Sequence, residues 1–202
     1  HIAGLQQLLK RFDIPVYTKQ GTWREIQDKL VVPKNQLIEL TKGSLTLGNL
    51  IVEPFAVSHD AADPIGINVF SGNDKATVVT DTGIISDDIL HRLDDSTLLV
   101  LEANYDPHML RFGPYQPFLK QRVASDEGHL SNEMAAQALL MMKRPDFMQV
   151  ILAHRSENNN NAVLVTQTIG KMLVDGGVRI GPEMKLQHGQ PNEIVSMQSI
   201  KR

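Results

Sequence analysis

Four residues of the types that bind metal ions lie on short loops after apolar, strand-like runs: His59, Asp81, His129 and His154. A fifth, His1, directly precedes an amphipathic stretch that predicts a helix. Neutral imidazoles bind borderline-soft cations such as zinc, and a carboxylate oxygen can bridge two such ions. Imidazoles and a carboxylate at strand ends therefore indicate a hydrolytic metal site, provided that the fold brings these loops together.

Each of these residues also has a simpler interpretation. A single histidine in a loop is most often solvated or hydrogen-bonded, which applies to His59 and His154 taken alone. Asp81 stands before a Thr-Gly pair, which also forms plain Asx turns. His129 also fits the start of a helix. The repeated placement after strand-like runs favours the ligand interpretation.

Hydrophobic periodicity and turn residues predict the elements that position these loops. A helix is predicted over residues 2–12, and a second over residues 22–30, with Thr22 as its N-cap and Glu25 completing a capping box. Strands are predicted at residues 36–40, 45–47, 51–58, 66–70 and 77–80. After them, helices are predicted at residues 87–93, 106–112, 116–124, 131–142 and 162–173, and strands at residues 98–101, 150–153, 178–180 and 193–200. This order predicts sheets covered by helices on their outer faces.

Composition narrows the classes of protein. The 202-residue chain has a formal net charge of -3, so a nucleic-acid partner requires a local basic patch. The absence of cysteine excludes disulfides and cysteine-ligated zinc, and it fits a reducing compartment. No apolar run approaches the roughly 20 residues of a membrane span. We therefore expect a cytoplasmic protein with one domain over residues 1–202 and no membrane partner.

Taken together, the loops resemble the metallo-β-lactamase family, which carries H-x-H-x-D-H at a strand end and then a helix beginning apolar-Gly-Leu. The stretch from His1 to Leu5 is similar to the last histidine of that motif and the helix behind it. His59 resembles a later ligand, Asp81 a bridging aspartate in a T-D-T-G-like turn, and His154 a terminal ligand after a strand. The H-x-H-x-D part is absent at the front, so we expect the first strands of the fold to be missing.

The segment around His129 narrows the resemblance within that family. Residues 127–136 resemble the His-Ser-Thr catalytic motif of its RNase Z-like nucleases. Four further sequence motifs are similar to those of the YycJ/WalJ branch of bacterial exonuclease-like hydrolases. They lie at residues 58–64, 110–115, 119–122 and 152–154. Arg155, beside the last ligand, departs from the apolar residue expected there.

The resemblance implies an α/β (α+β) fold, the αββα sandwich, in which two mixed sheets pack face to face with helices outside. It also implies two divalent metal ions, zinc or manganese, that activate a water for attack on an ester or phosphodiester. Their ligands would be His1, His59, Asp81 and His154, with Asp81 bridging. Because part of the motif is absent at the front, partial or no metal binding is expected of this chain. His129 would stabilise developing charge or protonate the leaving oxygen.

The resemblance also implies substrate contacts from cationic and polar residues: Lys120, Arg122, Arg111, Ser131 and Asn132. Cations such as Lys120 and Arg122 more often line a solvated helix face. The predicted function is a metal-dependent phosphodiesterase, a DNA exonuclease. A hydrolase of a small ester, thioester or cyclic phosphate and a non-catalytic module are the alternatives. An exposed sheet edge would favour self-association into a homo-oligomer.

Overall fold

The strands form two sheets within the part of the chain that the computed structural model describes, residues 2–33, 35–41, 43–190 and 193–196. The smaller sheet pairs β1 (Val16–Thr18) and β2 (Leu37–Glu39) in parallel. The larger, seven-stranded sheet has the spatial order β3 (Leu45–Leu47), β4 (Leu50–Ala56), β5 (Ile65–Ser71), β6 (Asp74–Val79), β7 (Leu98–Glu102), β8 (Met148–Ala153) and β9 (Met184–His188). Neighbouring strands from β3 through β6 pair in antiparallel fashion, and neighbouring strands from β6 through β9 pair in parallel.

Helices supply the crossovers that the parallel strands require. The helices in the described ranges are α1 (Leu5–Arg11), α2 (Gln20–Ile26), α3 (Asp87–Leu93), α4 (Pro107–Phe112), α5 (Pro117–Val123), α6 (Asn132–Met141) and α7 (Ala162–Asp175). α3 joins β6 to β7, the segment from α4 to α6 joins β7 to β8, and α7 joins β8 to β9. The predicted mixed α/β class, with two sheets and helices, is confirmed.

The core lies where the parallel strands pack against α3, α6 and α7. Leu99 and Leu101 of β7 are fully buried, and they share one cluster with Leu93 of α3, Leu139 of α6 and Ile169 of α7. The continuous apolar character of β7 and β8 fits strands in the middle of a parallel sheet. This rigid block carries the loops at the strand ends.

Strand direction brings the candidate ligand loops to one edge of the sheet. β4 and β6 both run antiparallel to β5, so they point the same way, and β7 and β8 run parallel to β6. The carboxyl ends of these four strands therefore meet at one edge, which is where open α/β sheets bind ligands. The opposite edge carries the β5–β6 turn, where Gly72 has a φ of 59°.

The predicted start of the second helix is wrong. α2 begins at Gln20 with Lys19 in the N-cap position, so Thr22 lies inside the helix. The Thr22 hydroxyl donates to the carbonyl of Asp63 at 3.1 Å, and the Gly21 N–H donates to the Asp63 carboxylate at 3.3 Å. The Thr22 hydroxyl, which was expected to cap the helix, therefore bonds to the loop after β4 instead.

The two final strands were also placed wrongly. The last strand among the described residues is β9. Residues 178–180 instead follow the end of α7, where the Val178 N–H donates to the Leu173 carbonyl at 2.9 Å and Gly177 has a φ of 84°. That helix ending is a left-handed cap. Of the predicted strand at 193–200, residues 193–196 form no strand, and the others lie outside the described residues. No helix in the described ranges is both long and apolar enough to cross a bilayer.

Candidate metal centre

Three predicted ligands come from three neighbouring loops at the carboxyl edge of the large sheet. His59 follows β4, Asp81 follows β6 and His154 follows β8. The Asp81 Oδ1 atom lies 3.6 Å from His59 Nε2 and 3.6 Å from His154 Nε2. Two ligands bound about 2.1 Å from a tetrahedral ion lie about 3.4 Å apart, so this spacing suits metal coordination.

Asp81 and His154 both occupy a backbone conformation that side chains rarely adopt. Their φ angles are 56° and 52°, in the left-handed region. Aspartate tolerates this region moderately well, but histidine does so only where the surrounding structure imposes it. At His154 the support is visible, because the Asn104 side chain donates to the His154 carbonyl at 2.7 Å. Strain held at two converging ligands is typical of a functional site.

Each of three imidazoles uses Nδ1 to contact an acceptor within the protein. His59 Nδ1 lies 2.9 Å from the Glu127 carbonyl, whereas His129 Nδ1 and His154 Nδ1 lie 2.8 and 2.6 Å from Glu102 Oε1. A carbonyl and an ionised carboxylate only accept, so Nδ1 carries the proton in all three rings. Nε2 then carries the lone pair, the arrangement of most metal-binding histidines.

Glu102 is the site residue that sequence reasoning missed. It ends β7, is fully buried, and accepts a further hydrogen bond on Oε2 from the Thr82 N–H at 3.1 Å. Burial alone would raise the pKa of Glu102, but hydrogen bonds from His129 and His154 outweigh it and hold that pKa below its ordinary value. The hydrogen bond to Glu102 in turn raises the pKa of His154. The feature of the sequence that could have identified Glu102 is a carboxylate at the end of an apolar strand.

His129 lies between the other two histidines. Its ring centroid is 5.1 Å from that of His59 and 5.1 Å from that of His154. Ligand atoms of His59, Asp81 and His129 lie within 4.8 Å of one another, as do those of Glu102, His129 and His154. Because Glu102 is occupied by two Nδ1 donors and one backbone N–H, it fits the role of an outer carboxylate that orients ligands.

An open cavity of about 360 Å³ adjoins these side chains. Its lining includes the three histidines, and also Asn104, Tyr115, Leu119, Arg122, Val123, Gly128, Arg155, Ser156, Glu157 and Asn158. Arg122 also donates to both oxygens of the Asp60 carboxylate, at 3.0 Å for the Nη2–Oδ1 pair. That hydrogen bond from Arg122 lowers the pKa of Asp60. Arg122 is thus a cation at the rim of the candidate metal centre.

The other predicted substrate contacts lie elsewhere. Lys120 and Arg111 line a separate, shallow groove, where the Lys120 ammonium donates to the Arg111 carbonyl at 2.9 Å. Ser131 caps α6 by accepting from the Met134 N–H, and the buried Asn132 forms an amide pair with Asn160. These side chains hold the loop that carries His129 in place, and none of them lines the cavity. The predicted ligand His1 lies outside the described residues.

Close packing of backbone against backbone fixes the loops around the centre. The Gly83 N–H donates to the Ser58 carbonyl at 2.8 Å, and the Asp60 N–H donates to the Glu127 carbonyl at 3.0 Å. A Cβ atom on Gly83 would lie 2.3 Å from the Ser125 carbonyl oxygen, and one on Gly128 would lie 2.2 Å from the Arg122 carbonyl oxygen. Only glycine permits these approaches.

We expect Gly128→Ala to destabilise the fold by about 1–3 kcal/mol, because carbonyl groups cannot yield as a flexible side chain would. Urea unfolding measures the change. Gly170→Ala is the matched control, since its Cβ would meet only Ile180 Cδ1 at 3.9 Å inside α7, where alanine favours the helix by up to about 1 kcal/mol. Equal stability of the two variants would show that the loop accommodates a side chain.

Comparison with known proteins gives consistent matches. A family model described as "Beta-lactamase superfamily domain" matches residues 1–154. The chain is 33% identical over 202 residues to a Bacillus anthracis protein named exodeoxyribonuclease YycJ, covering 99% of this chain and 76% of that protein. It is 29% identical over 205 residues to exodeoxyribonuclease WalJ of Streptococcus pneumoniae, with the same two coverages, 99% and 76%.

Solved structures support the fold. The metallo-β-lactamase fold protein YhfI of Bacillus subtilis aligns with a TM-score of 0.65 at 14% identity, covering 94% of this chain and 70% of that one. Zinc-bound PqqB of Methylobacterium extorquens aligns with a TM-score of 0.59 at 16% identity, covering 93% and 64%. The resemblance seen in the sequence motifs is confirmed by these matches.

Proposed function

The chain belongs to the β-lactamase superfamily, and from that premise we propose that it is a metal-dependent phosphodiesterase that degrades DNA from its ends. The observation that carries the proposal is the placement of Asp81 Oδ1 at 3.6 Å from the Nε2 atoms of both His59 and His154. The relatives named exodeoxyribonucleases support DNA as the substrate and an end as the point of attack.

We propose that His59, Asp81 and His154 hold divalent metal ions, with zinc or manganese as candidates and His1 as a further ligand. The donor set of imidazole nitrogens and one carboxylate suits either metal. Bound there, such an ion supplies Lewis-acid activation of water and of the phosphoryl group. The Nδ1 contacts of His59 and His154 keep their Nε2 atoms directed toward Asp81 without further rearrangement.

His129 is proposed as the residue that handles the proton of the leaving oxygen. Its Nδ1–H is held by Glu102, so Nε2 is the atom that exchanges a proton with the substrate. A proton that Nε2 takes up from solvent gives the acid form of the ring, while Glu102 keeps Nδ1–H in place. As the bond from phosphorus to the leaving oxygen breaks, the proton on Nε2 passes to that oxygen, and Nε2 is left with its lone pair. His129 thereby acts as a general acid beside the ligands.

Arg122 is proposed to hold a substrate phosphate at the cavity rim. A guanidinium forms paired hydrogen bonds with phosphate oxygens. Asp60 holds Arg122 in place through both of its carboxylate oxygens, which limits the rotamer entropy lost on binding. Because the side chain of Arg122 is 59% exposed, the N–H groups that Asp60 does not use remain accessible to a ligand.

The test is an end-dependent nuclease assay. Protein stripped of metal with a chelator is expected to be inactive, and added manganese or zinc should restore cleavage of linear DNA. Covalently closed circular DNA of the same sequence is the control and should persist, because it offers no end. Equal loss of circular and linear DNA would contradict exonuclease action. Failure to cleave any DNA, with hydrolysis of a small ester instead, would favour a small-molecule hydrolase of the same fold.

A further inference from the structure

The stretch between β7 and the His129 loop concentrates aromatic and cationic residues. The chain has six phenylalanines, three tyrosines and one tryptophan, and three of these, Phe112, Tyr115 and Phe118, fall within seven residues. Arg111 and Lys120 flank them. The chain carries a net charge of -3, so this interleaving of rings and cations is a local departure from its overall character.

The two phenylalanines are exposed rather than packed. Phe112 is 67% exposed and Phe118 is 70% exposed. The Phe112 ring has the His108 ring 4.6 Å away on one side and the Arg111 guanidinium 5.3 Å from its centroid. Large apolar side chains left in water within one short stretch of chain indicate a surface that binds a partner. Flat rings beside cations suit a partner with both π faces and negative charge.

This surface continues into the candidate metal centre. Tyr115, Leu119 and Arg122 line the cavity that contains the three histidines. Phe118 stands four residues before Arg122 in α5, so both project from the same face of that helix. A strand that leaves the metal centre would therefore meet Tyr115 in the cavity lining, with Phe118 on the same helix face as Arg122.

The surface is also held rigidly. α4 and α5 pack on a small core of Tyr105, Leu110 and Val123, with Tyr115 and Leu119 against it. The Lys120 ammonium, bonded to the Arg111 carbonyl, ties the two helices together. At the end of α4, a Cβ on Gly113 would lie 2.5 Å from the Met109 carbonyl oxygen, so the turn between the helices is closely packed. A rigid aromatic surface loses little entropy on binding.

We propose that Phe112, Tyr115 and Phe118 form a stacking platform for the unpaired bases of single-stranded DNA, with Arg111 and Arg122 contacting its phosphates. Every base presents a π face, so such a platform binds single strands without sequence preference. A paired duplex keeps its bases stacked on one another and cannot use the rings in this way. The inference rests on the proposed function and deepens it, since it specifies a single-stranded end as the substrate.

The experiment measures DNA binding separately from hydrolysis. Fluorescence anisotropy of a labelled, short oligothymidylate is recorded with a chelator present, so that no cleavage occurs. Phe118→Ala and Phe112→Ala are each expected to weaken binding by about tenfold to a hundredfold, the loss of one base stack. Phe118→Trp should retain binding, because a larger ring still stacks. Val174→Ala is the matched control: Val174 is 60% exposed at the far end of α7, and its loss should leave affinity unchanged.

A second measurement separates this inference from the proposed function. Hydrolysis of bis(p-nitrophenyl) phosphate by the wild-type protein with added manganese tests the proposed function independently of strand binding. If Phe118→Ala and Phe112→Ala bind the oligonucleotide as tightly as wild type does, the platform is refuted even where DNA is hydrolysed. If they lose binding but wild type hydrolyses no phosphodiester, the platform stands and the proposed function is refuted.

Discussion

Asp81→Asn is expected to lower kcat/KM for DNA hydrolysis by about 10³-fold or more, since a metal-bridging carboxylate contributes several kcal/mol of transition-state stabilisation. Asparagine keeps the size of the side chain and tolerates the left-handed backbone, where φ is 56°. The loss therefore reports the missing charge rather than a distorted loop. Steady-state kinetics and elemental analysis of bound metal measure the two consequences, and both activity and metal content should fall.

Asp95→Asn provides a matched control for this substitution. Asp95 is also an aspartate with a left-handed backbone, at a φ of 57°, but its exposed carboxylate pairs with Lys143 at 2.9 Å. Loss of that exposed ion pair should cost less than about 1 kcal/mol of stability and leave activity intact. An Asp81→Asn protein with wild-type turnover and full metal content would remove Asp81 from the centre.

Glu102→Gln is expected to reduce kcat/KM by about 10–100-fold and to lower the free energy of unfolding by about 1–3 kcal/mol. Glu102 accepts hydrogen bonds on both oxygens, two from imidazoles on Oε1 and one from Thr82 on Oε2. A glutamine amide has only one oxygen, so its NH₂ group must face a donor on one side. His129 and His154 then lose their orientation or the Thr82 N–H loses its partner.

Kinetics together with urea unfolding test the Glu102 prediction. Glu133→Gln, in the first turn of α6, makes the same chemical change at an exposed position and should alter stability by no more than about 0.5 kcal/mol. Glu102→Asp retains the charge and both acceptors on a shorter stem, so it should recover part of the activity. If Glu102→Gln matches Glu133→Gln in both measurements, the two histidines do not depend on Glu102.

The sequence pattern predicted correctly those helices whose first turns are capped by side chains next to them in the chain. α3 was predicted over its observed range, and its start is fixed by a neighbour in sequence, since the Ser86 side chain accepts from the Ile89 N–H at 3.3 Å. The start of α7 follows from Asn161, whose side chain accepts from the Leu164 N–H. α2 was misplaced because Thr22 is engaged by Asp63, forty-one positions away in the chain, and no local pattern encodes that contact.

The candidate site was predictable only in part, because some of its contacts join residues that are far apart in the chain. His59, Asp81 and His154 were predicted as ligands because each follows a strand and matches a family motif, and the structure places them together. Glu102 was missed because its partners are 27 and 52 residues away, and an acidic residue ending one apolar strand carries no distinctive spacing. Lys120 was assigned to the site from the family resemblance and its charge, whereas its place on α5 directs it to another groove.

The large sheet has two ends that differ in how strongly the proposed function constrains their sequence. Among the described residues, the groups proposed to touch metal or phosphate lie beyond the carboxyl ends of the strands, whereas the β5–β6 hairpin with Gly72 turns at the opposite end of the sheet. Mutational drift there alters no catalytic distance. In a diverging lineage, new peptide segments can therefore accumulate at the hairpin end of the sheet while the reaction chemistry stays constant.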